Sequence, residues 1–197
     1  MNETLSTIYQ RRAIRKFKEQ SVSKEIIEQV LDAGRMAPSA INMQPWKFYV
    51  LTNKETIKTF GGAIKQGMVK GFLKTGIKQI ITNIIGTLHM GHKTDFVKQD
   101  DMVFHGAPVV IFIASSKSNE WAPIDVGMCA QNMMLAAKSL GLDTCPIGMA
   151  RYIEYTDTYE QLNIPSGEHV NLAIILGYGD ETPELHERIK TNVTYMD

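Results

Sequence analysis

Val109-Val110-Ile111-Phe112-Ile113-Ala114 is the longest purely apolar run in this chain, and it limits what the chain can fold into. With Ala107 and Pro108 ahead of it, the run is rich in the β-branched and aromatic residues that suit a pleated surface, and it predicts a buried strand over 107–114. It falls far short of the roughly 18 apolar residues that a membrane-spanning helix needs. Val170 to Leu176 predicts a second buried strand. A long helix over 123–140 lies between them. Val126, Cys129, Met133, Ala136, Ala137 and Leu140 share its wide apolar face, Asp125 stands in its first turn, and Gly141 follows its last.

The other segments surround these strands with helices. Leu5, Ile8 and Tyr9 line one face of a short helix over 3–10. Ser23 caps a better one over 24–36, where Ile26, Ile27, Val30 and Leu31 keep a helical period. Met36-Ala37-Pro38-Ser39 ends it, because the residue before proline avoids the α region. Phe48 to Thr52 is a short β-like run, 54–65 returns to helix, and 153–162 predicts another. From Gly61 to Asp101 the pattern weakens: glycines recur, and helical pieces are expected over 64–75 and over 77–90, the latter with an isoleucine stripe. A basic amphipathic segment on a membrane surface is one reading. A lid-like cover over a pocket is preferred, since long excursions between strands tend to be functional. The tail from Pro183 is polar and extended. Few strands among several helices favour a mixed layer fold over any all-β fold.

A chain of 197 residues suits a single domain whose core needs no disulfide or metal staple. Cys129 and Cys145 lack metal-ligand spacing and follow no signal peptide, so they read as reduced core thiols in a cytoplasmic protein. Net charge is zero, yet residues 1–118 hold 17 Lys/Arg against 9 Asp/Glu, and residues 119–197 hold 4 against 12. A nucleic-acid binder carries its basic excess over the whole domain, so no nucleic-acid partner is expected. The excess is densest at Arg11, Arg12, Arg15, Lys16 and Lys18. Guanidinium forks there suit phosphate or carbonyl acceptors, and a solvated basic turn is the other reading.

Common catalytic signatures are missing: no GxGxxG, Walker loop, HExxH or nucleophile elbow occurs. His89 and His92, three apart on an expected helix, have no third ligand in view, and no metal site is expected. Any chemistry therefore rests on a bound cofactor. The loop from Pro38 to Trp46 could aim hydroxyl, amide and backbone groups at a heterocycle edge. Cys145-Pro146-Ile147-Gly148 offers a further point of close backbone approach.

Taken in order, these stretches resemble the nitroreductase family of FMN-dependent oxidoreductases. The resemblance runs through RRAIRKF at 11–17, APSAINMQPWKF at 37–48, GAPVVIFIA at 106–114, DVGMCAQNMMLAAKSLGLDTCPIG at 125–148 and VNLAIILGYGDETP at 170–183. It implies a three-layer α+β fold, with a central, mainly antiparallel sheet flanked by helices, in an intertwined homodimer. The C-terminal extension, 183–197, then crosses to the partner, and two FMN sites lie at the interface. Arg11, Arg12 and Arg15 resemble the basic cluster on FMN, with Arg15 nearest the flavin N1/C2 carbonyl edge; Ala13 stands where serine is common. Pro38, Ser39, Ala40 and Asn42 resemble the loop that the partner lays against the isoalloxazine ring. Pro146, Ile147 and Gly148 resemble the turn over N5, and Arg188 and Lys190 the late basic pair on the phosphate.

The implied reaction is ping-pong hydride transfer from NAD(P)H through flavin N5 to a nitroaromatic, quinone or similar small oxidant, with no catalytic residue from the protein. The 61–101 excursion, with Phe72, Leu73, Phe96 and Phe104, would then set substrate choice. Relatives of the same fold also carry out dehalogenation and ring oxidation. The alternative is therefore a specialised flavin enzyme, or a flavin-binding protein with little nitroreductase turnover.

Overall fold

The structure, a computed structural model, describes residues 1–75 and 101–196. Its two apolar runs lie side by side at the centre of a sheet. The strands are β1 (Lys47–Leu51), β2 (Val109–Ser116), β3 (Asp143–Ile147) and β4 (Glu168–Gly177). Their order is β1-β2-β4-β3, with every neighbouring pair antiparallel. Val109 faces Leu176 and Ile113 faces Leu172, with one irregularity between Ile113 and Ala114.

Alternation along β2 and β4 sorts their side chains onto two faces, and each face has its own cover. Val109, Ile111, Ile113, Ile174 and Leu176 pack with α2 (Lys24–Arg35) and α4 (Ala122–Ser139). Val110, Phe112, Ala173 and Ile175 pack with α3 (Lys54–Thr75) and the 3-10 segment Gly148–Tyr155. The result is the expected three-layer α+β arrangement. The two cysteines are buried and free, Cys129 on the first face and Cys145 on the second. Among the described residues no helix is long and apolar enough to cross a membrane.

Several helix boundaries follow the sequence signals. In α1 (Glu3–Gln10) the Leu5 N–H donates to the Asn2 side chain, and in α2 the Ile26 N–H donates to Ser23 Oγ. Gly141, at φ +79°, ends α4: its N–H reaches the Lys138 carbonyl while the Leu142 N–H reaches Ala137, a Schellman closure.

Three expectations are corrected. Residues 54–65 and 64–75 are one continuous helix, α3, rather than two pieces. Two of the glycines that weakened the pattern are contact points: a Cβ on Gly67 would lie 2.3 Å from the Tyr152 carbonyl oxygen, and one on Gly71 2.8 Å from the Tyr152 ring. Residues 153–162 are not an α-helix but the end of one 3-10 segment, Gly148–Tyr155, and the whole of a second, Asp157–Leu162. Extended Thr156 divides them, and left-handed Asn163 stops the second; β-branched and aromatic residues give this stretch little helical preference. Phe104 does not line a substrate pocket, because it is fully buried against Phe112. The 77–90 helix, the His89/His92 pair and Phe96 lie outside the described residues, as do the side chains of Phe72 and Leu73.

Candidate functional site

The basic segment lies along the free edge of β3. Ala13 forms a parallel bridge with Thr144, and the Ile14 N–H donates to the Thr144 carbonyl at 3.0 Å. Further on, Phe17 pairs with Gly179, the Lys18 N–H reaches Tyr178, and the Asp180 N–H reaches the Lys16 carbonyl. Ile14 is buried, and Ala13 and Phe17 pack against the second core cluster, so the apolar residues of the segment anchor its cations. Lys16 pairs with Asp180. The Arg15 backbone N–H donates to the Glu181 carboxylate.

The three arginines are all half-buried, but their partners differ. Arg12 donates through Nη1 to the carbonyls of Tyr9 and Arg11, at 2.7 and 2.8 Å, closing the end of α1. Among the described residues, neither Arg11 nor Arg15 has an ion pair with a carboxylate. Their charge is felt at Cys145, where burial pushes the thiol up and Arg15, then Arg11, pull it part of the way back. The same charge reaches His105, a buried residue with φ +56°. Burial and Arg15 lower its pKa, while Asp101 and Glu181 oppose them. A cavity of about 710 Å³ opens beside it, walled by Phe17, Lys18, Lys54, Asp101 and His105 among others.

Pro146, Ile147 and Gly148 flank the same edge, with one correction. Pro146 and Ile147 are not a turn but the end of β3, opposite Ile174 and Ala173, and Gly148 opens the 3-10 segment. Proline fits there because an edge position leaves its missing N–H without consequence. Pro146 and Gly148 are exposed, and a Cβ on Gly148 would meet nothing within 4 Å. The structure thus brings residues 11–15 and 146–148 to one edge.

The loop Pro38, Ser39, Ala40 and Asn42 lies elsewhere. The Ala40 N–H donates to both carboxylate oxygens of Asp125 at 3.3 Å; Asp125 is only 3% exposed in the first turn of α4. Ser39 Oγ accepts the Gln44 N–H, and Asn42 Oδ1 accepts from the Gln44 side chain. Ile41, Asn42 and Gln44 all have positive φ. Asparagine tolerates that region, whereas a β-branched residue is strained there, and Ile41 is 92% exposed. A cavity of about 600 Å³ adjoins the loop, walled by Met43, Trp46, Lys47, Trp121 and Glu168 among others.

Sheet order separates this loop from the arginines. The loop enters β1 where Lys47 pairs with Ala114 and Ala114 with Val170; the arginines meet Thr144, which pairs with Leu176. The two corners differ by the width of the sheet, about 14 Å, and by about 20 Å along the strands. Arg188 and Lys190 are exposed in the tail, where Arg188 donates to the His186 carbonyl; among the described residues nothing brings them to Arg11 or Arg15. Sequence reasoning passed over His105 and Glu181. His105 carried no signal beyond its place before Gly106, and Glu181 read as one acid among several in a polar tail.

Comparison with known proteins bears on this arrangement. The model of the nitroreductase family matches residues 8–178. The chain belongs to the nitroreductase family. Among its relatives are the chloronitrobenzene nitroreductase of Comamonas testosteroni, 28% identical over 94% of this chain and 91% of that one. The nitrobenzene nitroreductase of Ectopseudomonas oleovorans is 29% identical over 89% and 86%. An FMN-dependent nitroreductase of Clostridium difficile superposes with a TM-score of 0.71 at 26% identity, covering 99% of both chains. A Bacteroides fragilis nitroreductase solved with bound FMN shares the fold, with a TM-score of 0.78 at 23% identity over the full length of both chains. As a nitroreductase-family fold, the chain has its arginine segment, β3 end and 38–42 loop inside the matched region, and Arg188 and Lys190 beyond it.

Proposed function

We propose that this protein is an FMN-dependent oxidoreductase that transfers hydride from NAD(P)H to a nitroaromatic, a quinone or a similar small oxidant. The observation that carries this reading is the β3 edge, where the half-buried guanidiniums of Arg11 and Arg15 have no carboxylate partner among the described residues and lie beside exposed Pro146 and Gly148. Unpaired, half-buried cations favour an anionic ligand, and Gly148 leaves room for a flat one, so these residues fit FMN. When bound, FMN supplies the two-electron centre that accepts hydride from the nicotinamide and delivers it to the oxidant.

The protein's part is binding and electrostatics. Arg11 and Arg15 hold an anion; Arg15 also provides a fixed positive charge that favours a more negative ligand after reduction. Arg12 secures the turn that presents them. Ala13 gives the segment its register on Thr144 without a polar group of its own. Gly148 and Pro146 keep the strand end open to the ligand.

A homodimer completes the site in this reading. The loop at 38–42 sits at the opposite corner of the sheet from the arginines, so a second copy supplies it to the same ligand. The exposed apolar residues Ile41, Met43, Trp121 and Ile124 fit burial against that copy. So do Leu185, Ile189, Val193 and Tyr195 in the extended tail, which brings Arg188 and Lys190 with it. Residues 61–101 remain the proposed determinant of substrate choice. The two unpaired thiols fit a reducing compartment such as the cytoplasm.

The test is the visible spectrum of the purified protein, taken anaerobically before and after NADH or NADPH and then a nitroaromatic. A flavin spectrum that bleaches and returns is expected. A flavin that resists reduction favours the specialised-enzyme or binding-protein alternative, and a protein that refuses added FMN overturns the reading.

A further inference from the structure

The segment that carries Arg15 is fastened to the chain beyond β4 by an unusual pairing of charges. Asp180 and Glu181 stand opposite Lys16 and Arg15. Asp180 takes the Lys16 ammonium at 3.2 Å, as neighbouring opposite charges do. Glu181 does not take the Arg15 guanidinium; its Oε1 accepts the Arg15 backbone N–H across 166 residues of sequence. The guanidinium is left with no carboxylate among the described residues.

We infer that Glu181 is a positioning residue for the anion site. By accepting the Arg15 backbone N–H, its carboxylate fixes that residue on the β3 edge and keeps the guanidinium available to the ligand. The inference rests on the FMN reading given above. Two observations support the geometry. The neighbouring bonds from Lys18 to Tyr178 and from Asp180 to Lys16 hold the two segments in one register, so Glu181 meets Arg15 from a fixed partner. The charge of Glu181 also reaches His105 and Cys145, the two groups that feel Arg15, so all four share one neighbourhood. A free carboxylate beside a half-buried arginine would ordinarily close on it and compete with an incoming phosphate. Engaging the carboxylate with a backbone N–H removes that competitor.

The experiment is a titration of flavin-free protein with FMN, followed by quenching of flavin fluorescence, for the wild type and three variants. Glu181→Ala removes the acceptor and should weaken FMN binding by about threefold to tenfold, the usual worth of one such hydrogen bond. Glu181→Gln keeps an acceptor of the same length without the charge and should bind within about twofold of wild type. Glu181→Asp keeps the charge but shortens the reach, and should bind as weakly as Glu181→Ala. Melting curves of the flavin-free variants report on folding, and the Gln and Asp variants decide the matter if the Ala variant melts early. Equal binding by Glu181→Ala and wild type would overturn the inference. So would a reversed order, with Asp like wild type and Gln weak, because that marks charge and not the hydrogen bond. Wild-type protein that fails to quench FMN would refute the FMN reading itself, a result distinct from either.

Discussion

Arg15 combines a segment anchored by apolar neighbours with a side chain that no carboxylate neutralises among the described residues. Removing it in Arg15→Ala should weaken FMN binding by at least about tenfold, the worth of a charge-assisted hydrogen bond, read by the same fluorescence titration. Arg15→Lys should recover only part of that loss, because an ammonium lacks the planar donor fork. A second prediction concerns Cys129, whose thiol burial pushes up to about 12 from an ordinary value of 9. Folded protein keeps a proton that the unfolded chain releases, so this group's contribution is full below pH 9 and fades as pH climbs toward 12. Urea unfolding at successive pH values should show stability falling by up to about 1.4 kcal/mol per pH unit from this one group. Cys129→Ala should flatten that slope, whatever its cost at neutral pH. What the sequence disclosed at this scale was residue type. The arginine cluster stood out by its density, whereas Glu181 meets Arg15 only because the chain beyond β4 returns to residue 15.

Among the elements, β2, β4, α2 and α4 were legible because their apolar patterns are saturated and their ends carry caps, prolines or a C′ glycine. β3 was not. Asp143-Thr-Cys-Pro-Ile has neither alternation nor a strand-like composition, and it is a strand because β4 offers it an edge. α3 was misread for a different reason. Its glycines look like helix breakers in one dimension, and Gly61, Gly67 and Gly71 prove to be contact points in three. Ala in place of Gly at an open helical position gains up to about 1 kcal/mol, and Gly62→Ala should do so, since nothing lies within 4 Å of that site. Gly67→Ala should instead destabilise by about 2 kcal/mol or more, because the new methyl meets the Tyr152 carbonyl. Thermal or urea unfolding of the two variants side by side checks both signs.

For the whole molecule, the family resemblance carried the fold, but the consequence of sheet order could not be read along the chain. Sequence places residues 11–15 and 38–42 some 25 positions apart; the order β1-β2-β4-β3 sets them at opposite corners. A flavin that needs both must draw one from a second chain, so FMN and dimerisation are thermodynamically linked, and FMN should tighten the dimer. The most direct test is sedimentation velocity of dilute protein with substoichiometric FMN, followed at the flavin absorbance. The account predicts that bound flavin sediments only at the mass of the dimer, and that adding FMN shifts monomer into dimer. Flavin bound at the mass of a single chain would contradict it.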